Sequence, residues 1–260
     1  RGQRVYTTAQ APVNWNMSQY MRPRFISANV DAIERILWEA LSSPPDSPIT
    51  TAASGDGTTL GAGAAGGMTV DFNSSNINEL LTLSFVYNLG GVWYHIKDAV
   101  IDTYEADFSI DAIATNNWTG YATSIEEIAE PAQWLPGTTA SEEYFPAPTT
   151  GTLGCIRNKL STVAIATSMG TPFEASYTVA LTGGSLSISN NVTYLTPESL
   201  GVVNRPCGHF TGSRTVSAEV TAYLKSGAAG DTADLLNDLL AYADTGDPEP
   251  TDFDVDIYVG

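Results

Sequence analysis

Thr215-Val-Ser-Ala-Glu-Val-Thr-Ala-Tyr-Leu224 alternates without a break. Val216, Ala218, Val220, Ala222 and Leu224 fall on one side, and Thr215, Ser217, Glu219, Thr221 and Tyr223 on the other. Successive side chains of a strand point to opposite faces, so the segment predicts a strand with one buried and one wet face, as in antiparallel sheets. The same period recurs at 105–111, where Ala106, Phe108 and Ile110 face in and Glu105, Asp107, Ser109 and Asp111 face out. It returns at the C-terminus, with Phe253, Val255, Ile257 and Val259 opposite Asp254, Asp256 and Tyr258. Further strands are predicted at Thr82–Tyr87, Val92–Val100, Leu160–Ala166, Ala175–Leu181, Leu186–Ser189 and Val192–Tyr194. Gly183-Gly184 reads as a turn between two of them.

Two segments carry helical spacing instead. Asp31–Leu41 places Ile33, Ile36, Leu37, Ala40 and Leu41 on one face, with Asp31 as its cap and Pro44-Pro45 as its stop. Asp231–Tyr242 begins at a capping Asp231 and stacks Leu235, Leu236, Leu239 and Leu240 for packing against a larger element. Ser43–Gly67 and Pro131–Gly151 have no period and are rich in Pro, Gly, Ala or Thr, which predicts surface loops. They separate no self-contained patterns, so residues 1–260 read as one domain; a boundary near residue 150 is the alternative.

The composition narrows function by exclusion. Of 260 residues, 43% are hydrophobic, enough for a sizeable core, and only 15% are charged. Asp and Glu total 29 against 11 Lys and Arg, a net charge of −18, and a field of that sign excludes a protein that grips nucleic acid. No apolar run approaches the roughly 20 residues of a membrane span, and the N-terminal stretch has no apolar core of a signal peptide. Cys155 and Cys207 are too few for a disulfide framework and read as small buried thiols, while His95 and His209 leave little for zinc.

The candidate reactive groups each read better as structure. Glu126-Glu127 and Glu142-Glu143 are adjacent pairs that cannot face each other, so they make poor acid–base couples. His209 lies near Cys207 but has no acid partner in the sequence and reads as a turn histidine. Gly61–Gly67 lacks the Lys-Ser/Thr of a phosphate cradle. The acidic tail Asp244–Asp256 is broken by Pro248 and Pro250 and fits no calcium loop. Trp15, Trp38, Trp93, Trp118 and Trp134 are scattered, as core or interface anchors are. The expectation is no catalytic residue, no metal and no cofactor.

Several segments, in order, resemble phage tail tube proteins, the major tail proteins of long-tailed bacteriophages. Pro12-Val-Asn-Trp15 through Ser18-Gln-Tyr-Met-Arg-Pro23 is similar to that family's opening stretch, followed by the helix Ala32-Ile-Glu-Arg-Ile-Leu-Trp-Glu-Ala40. Ala106–Gly120 is similar to a strand-and-turn element of these tubes. The most extensive match is Leu186-Ser-Ile-Ser-Asn-Asn-Val-Thr-Tyr-Leu-Thr-Pro197, continuing to Gly208–Ser217 and Thr221-Ala-Tyr-Leu224.

The resemblance implies a mainly β domain with one or two packed helices, a β-sandwich or barrel whose strands join neighbours in a ring to form a continuous inner β-barrel. It implies an N-terminal arm over about residues 1–30 and loop insertions at about 43–75 and 130–152. It further implies stacked, usually hexameric rings lining a conduit for viral DNA in the virion tail, after synthesis in the host cytoplasm. The implied partners are other copies of the chain, the tape-measure protein, tail-end or baseplate proteins and a sheath protein, with transient passage of DNA and no membrane. A negative bore suits DNA, because a surface that attracts phosphate would stall the strand. Glu105, Asp107 and Asp111 are the candidate lumen-lining residues, with Asp254 and Asp256 as secondary candidates. Two other classes compete: a secreted carbohydrate-binding or adhesin sandwich, which needs an aromatic platform, and an acid hydrolase, which needs two carboxylates about 5–10 Å apart in a cleft.

Overall fold

A computed structural model describes residues 10–26, 29–32, 34–42, 50–51, 68–69, 80–130, 158, 161–167, 173, 176–196, 205–226, 229–244 and 253–258. In chain order these hold strands β1 (Val13–Tyr20), β2 (Pro23–Ile26) and β3 (Asn29–Ala32), then helix α1 (Arg35–Ser42). The short pair β4 (Thr50–Thr51) and β5 (Met68–Thr69) follows, then β6 (Leu83–Leu89), β7 (Val92–Asp107), β8 (Thr115–Ala122) and β9 (Ser124–Ile128). The remainder is β10 (Thr162–Ala166), β11 (Ser176–Val179), β12 (Leu181–Ser189), β13 (Val192–Leu195), β14 (Gly208–Thr211), β15 (Thr215–Ala222), helix α2 (Thr232–Asp244) and β16 (Asp254–Tyr258). The protein is mainly β with two described helices. None of the described sheets closes into a barrel.

The principal sheet runs β1-β8-β7-β12-β15, each neighbour antiparallel to the next. β7 is long enough to serve two ladders: its second half carries β8 and β12, and its first half pairs with β6 and β9. The change of partners falls at an irregularity between Ile101 and Thr103 that leaves Asp102 outside the pairing, close to Asp98 with φ 51°. Asp102 is used as a bracket there, since its carboxylate accepts from Val192 N at 2.7 Å and its carbonyl from Asn190 N at 2.8 Å. This fixes the β13–β14 hairpin over the bend.

One face of the principal sheet packs under α1. In register across the strands stand Met17, Trp118, Tyr104, Ile188 and Val216, and Leu37, Ala40 and Leu41 close over the central ones. Trp38, Tyr104 and Trp118 form an aromatic knot with ring centroids 4.4 to 5.0 Å apart, and Trp118 is 0% exposed. Below it, Asn116 donates to Glu34 Oε1 at 2.6 Å and accepts from the Tyr104 hydroxyl at 2.8 Å, so Tyr104, Asn116 and Glu34 form one buried chain of hydrogen bonds.

The structure corrects several expectations. The first helix begins after Glu34, whose carbonyl accepts from Leu37 N and Trp38 N; Asp31 is not its cap, because Asn29–Ala32 is a strand paired with β2. Gly183-Gly184 is no turn but lies within β12, where a Cβ on Gly184 would meet Glu219 O at 2.5 Å. Close backbone approach, not chain reversal, accounts for that glycine. The apolar side of β15 is not buried: Val216 is 59% exposed and Val220 37%, because this outermost strand reaches beyond the cover of α1. On β16, Val255 is likewise exposed while Ile257 packs on the core.

The second helix starts as read, with Asp231 Oδ1 accepting from Ala233 N and Asp234 N and Asp234 reaching back to Gly230 N. Its leucine face is not packed as expected. Leu236, Leu239 and Leu240 are exposed, and the helix is held from another side by Tyr177 donating to Asp238 and by Phe173 against Tyr242. Val13–Tyr20, inside the stretch read as an arm, is a full edge strand of the principal sheet. The loops at 43–75 and 130–152 lie outside the described residues except at β4 and β5 and at residue 130.

Candidate functional site: the polar sheet face

The face opposite α1 is polar row by row. One register row reads Asn16, Thr119, Thr103, Ser189 and Thr215. The next reads Ser18, Asn117, Glu105, Ser187 and Ser217, and the third Tyr20, Thr115, Asp107, Ser185 and Glu219. Alternation produces this, because successive residues of each strand point to opposite sides of the sheet. Three carboxylates stand on the face, and β1, β8, β12 and β15 contain no Lys or Arg, so no cation on those strands offsets them. The Lys97 of β7 is in the other half of that strand, where its ammonium meets Glu126 at 2.5 Å.

Of the predicted residues, the structure brings Glu105 and Asp107 onto this face, both exposed. It does not bring Asp111 there. β7 ends at Asp107, and Asp107 accepts from Ser109 N at 2.9 Å, which starts a turn that carries Ile110 and Asp111 into exposed loop positions. Ile110, expected to be buried, is 38% exposed for the same reason. Asp254 and Asp256 are exposed on β16 in a separate three-stranded sheet, β11-β10-β16. Glu219, read on the polar side of the run 215–224 but not named among the acidic candidates, joins Glu105 and Asp107 on this face.

The other candidates fall elsewhere. Glu126 lies on β9, and the hydrogen bond from Lys97 holds its carboxyl below the usual carboxylate range. His209 is a strand residue on β14 rather than a turn residue, and its ring packs against Tyr194 at 5.6 Å. Cys207 is an exposed free thiol, not a buried one, because it precedes β14 in an open segment. Trp15, Trp38 and Trp118 are committed to packing, so among the described residues no platform of these tryptophans stands on the polar face. Trp134, Glu142-Glu143, Cys155 and Gly61–Gly67 lie outside the described residues. Among the described residues no cluster of His, Cys, Asp and Glu has the arrangement of a metal site, and no helix is long and apolar enough to cross a membrane.

Two half-buried groups give the fold a pH window. Burial, with Asp98 adding to it, pushes the Tyr194 hydroxyl up from 10.0 to about 12, while the group donates to Asp98 O at 2.6 Å. Burial pushes the His209 imidazole below its ordinary 6.5. For the tyrosine the raised value means its contribution is complete below pH 10 and is lost as pH rises toward 12. For the histidine the lowered value means its contribution is complete above pH 6.5 and is lost as pH falls below it. Urea midpoints are therefore expected to be flat between these limits and to fall outside them. His209→Phe is expected to reduce the loss on the acid side.

What this arrangement offers is a broad wet surface between two edges, β1 and β15, that carry no further strand among the described residues. No protein-family model matches the chain. Over 242 residues, 92% of its length, the chain is 28% identical to tail tube protein pb6 of Escherichia phage T5. The match covers 49% of that protein, so the chain spans about half the length of the curated relative. The resemblance to phage tail tube proteins thus holds along nearly the whole chain.

Proposed function

We propose that the chain is a structural subunit of a phage tail tube, a single tube domain that assembles into stacked, hexameric rings and has no enzymatic role. The observation that carries this reading furthest is the polar sheet face, continuous over five strands and acidic without a cation on four of them. In a ring it forms the wall of a conduit, with Glu105, Asp107 and Glu219 repeating as belts of negative charge. DNA passing through is repelled from all sides and meets no phosphate-binding stop. During assembly the same bore surrounds the tape-measure protein, and baseplate or sheath proteins meet the tube's ends and outside. The subunit is made in the host cytoplasm and resides in the virion tail.

Electron microscopy of the purified protein tests the assembly: stacked rings are expected, and isolated particles at every concentration would overturn it. The bore is tested by changing Glu105, Asp107 and Glu219 together to Lys in virions that keep tails of normal length. Ejection is expected to slow by about tenfold or more, since attraction replaces repulsion along the whole path. Asp254→Lys with Asp256→Lys, on the other sheet, serves as the comparison and is expected to leave ejection unchanged. The opposite ranking of the two variants would move the bore to the β16 sheet.

A further inference from the structure

We infer that neighbouring copies of the chain join through β15 of one and β1 of the next, with the two strands running parallel. This rests on the tube reading and adds the contact that builds the ring. The five strands of the principal sheet alternate in sense, so the first and the fifth point the same way. Both are eight residues long, and neither has a strand on its outer side among the described residues. The sheet is open among the described residues, with β1 and β15 at its two ends. Open edges of this length call for a partner strand.

The two edges match on both faces. On the wet side, the Asn16, Ser18 and Tyr20 edge meets an edge of Thr215, Ser217 and Glu219. On the other side, the exposed Val216 and Val220 meet the Trp15 and Met17 edge of β1, both packed against the core. Met17 and Val216 end the same register row, so joining the edges continues the apolar layer without a step. Copies related by rotation about one axis keep their strand sense, which makes the junction parallel and head-to-tail.

Charge decides between this and the alternative, a two-fold contact of β15 with β15. The two-fold contact sets Glu219 beside its own copy. The parallel contact brings Glu219, in the row of Tyr20, toward the end of β1 that leads into the exposed Arg22. Like charges across a strand pair are unfavourable and opposite ones favourable.

Paired cysteines in assembled protein read out the sense directly, in a background with Cys155→Ser and Cys207→Ser. Asn16→Cys with Thr215→Cys or Ser217→Cys joins like ends, as does Tyr20→Cys with Glu219→Cys or Thr221→Cys. These are expected to give ladders of cross-linked oligomers on oxidation, whereas Asn16→Cys with Thr221→Cys is expected to stay monomeric. The reverse pattern, or dimers from Ser217→Cys alone, would overturn the proposal. In the unaltered protein, amide exchange in β1 and β15 is expected to slow together by about tenfold or more on assembly. Rings or tubes in which neither strand gains protection overturn this junction and leave the tube reading intact. Failure of the unaltered protein to assemble at all overturns both.

Discussion

Gly120→Ala is expected to remove about 3 kcal/mol of stability, at the upper end of what overpacking usually costs. Gly120 lies in β8, between β1 and β7, and faces the packed side of the sheet. A Cβ there would collide with Val100 O and would stand 2.8 Å from Trp15 Cζ2. Backbone oxygen cannot yield as a side-chain tip does. Trp15 is also held, with its indole N–H donating to Tyr121 O at 3.3 Å and its ring 4.9 Å from Phe85. The methyl group therefore forces β1 away from β8 or breaks the β7 ladder. Gly208→Ala is the comparison, since nothing lies within 4 Å of its Cβ, and it is expected to stay within about 0.5 kcal/mol. Urea unfolding of dilute protein, where assembly adds nothing to stability, measures both. Equal midpoints for the two variants would contradict the packing described around Trp15.

Asn190→Ala is expected to cost a similar amount, about 3 kcal/mol, by a different route: it leaves several buried polar groups without partners. Asn190 is 2% exposed. Its amide donates to Leu41 O at 3.0 Å and Ile101 O at 3.2 Å, and its oxygen accepts from Arg214 Nε at 2.8 Å. Arg214 in turn reaches Leu41 O and Ser42 O, the last carbonyls of α1. One side chain thus joins a helix end, the bend of β7 and the segment leading into β15, and the guanidinium satisfies a helix terminus that has no basic residue of its own. Arg214→Ala is expected to cost less, about 1 to 2 kcal/mol, because the Asn190 bonds to backbone survive it. A cooperative unfolding curve with an unshifted midpoint for Asn190→Ala would sink this account.

The features that were legible in the sequence are those with a local cause. The alternation of 215–222 and 105–107 was read with the correct sides, although the apolar side of β15 is not buried, and Asp231 was read as a cap from its place before a leucine-rich run. Several of the misreadings depend on residues far along the chain. Gly183-Gly184 and Gly90-Gly91 are the same dipeptide, yet only the second is a turn, with φ of 62° and 93°. What distinguishes Gly184 is the backbone of Glu219 across the ladder, which no local pattern reveals. The exposure of Val216 and of the α2 leucines has the same character, because apolar periodicity marks a surface that seeks cover without saying which chain supplies it. The acidic face was found in part: Glu105 and Asp107 follow from alternation, while Asp111 was lost to a turn set by the Asp107 carboxylate and Glu219 needed the register of β12 and β15 to join them.

The sixteen residues of β7 extend about 50 Å at the usual rise of a strand. Its hydrogen bonds lie across the strand direction, as in any antiparallel pair. Tension along β7 therefore strains its ladders in shear, many bonds at once, whereas a pull across the sheet would peel them one by one. The bend at Asp98 and Asp102 divides the strand into two such spans, each clamped by strands on both sides, β6 with β9 and β8 with β12. A stretching load that loosens one span still meets the other, so the protein has a mechanical reserve along one axis and comparatively little at right angles to it.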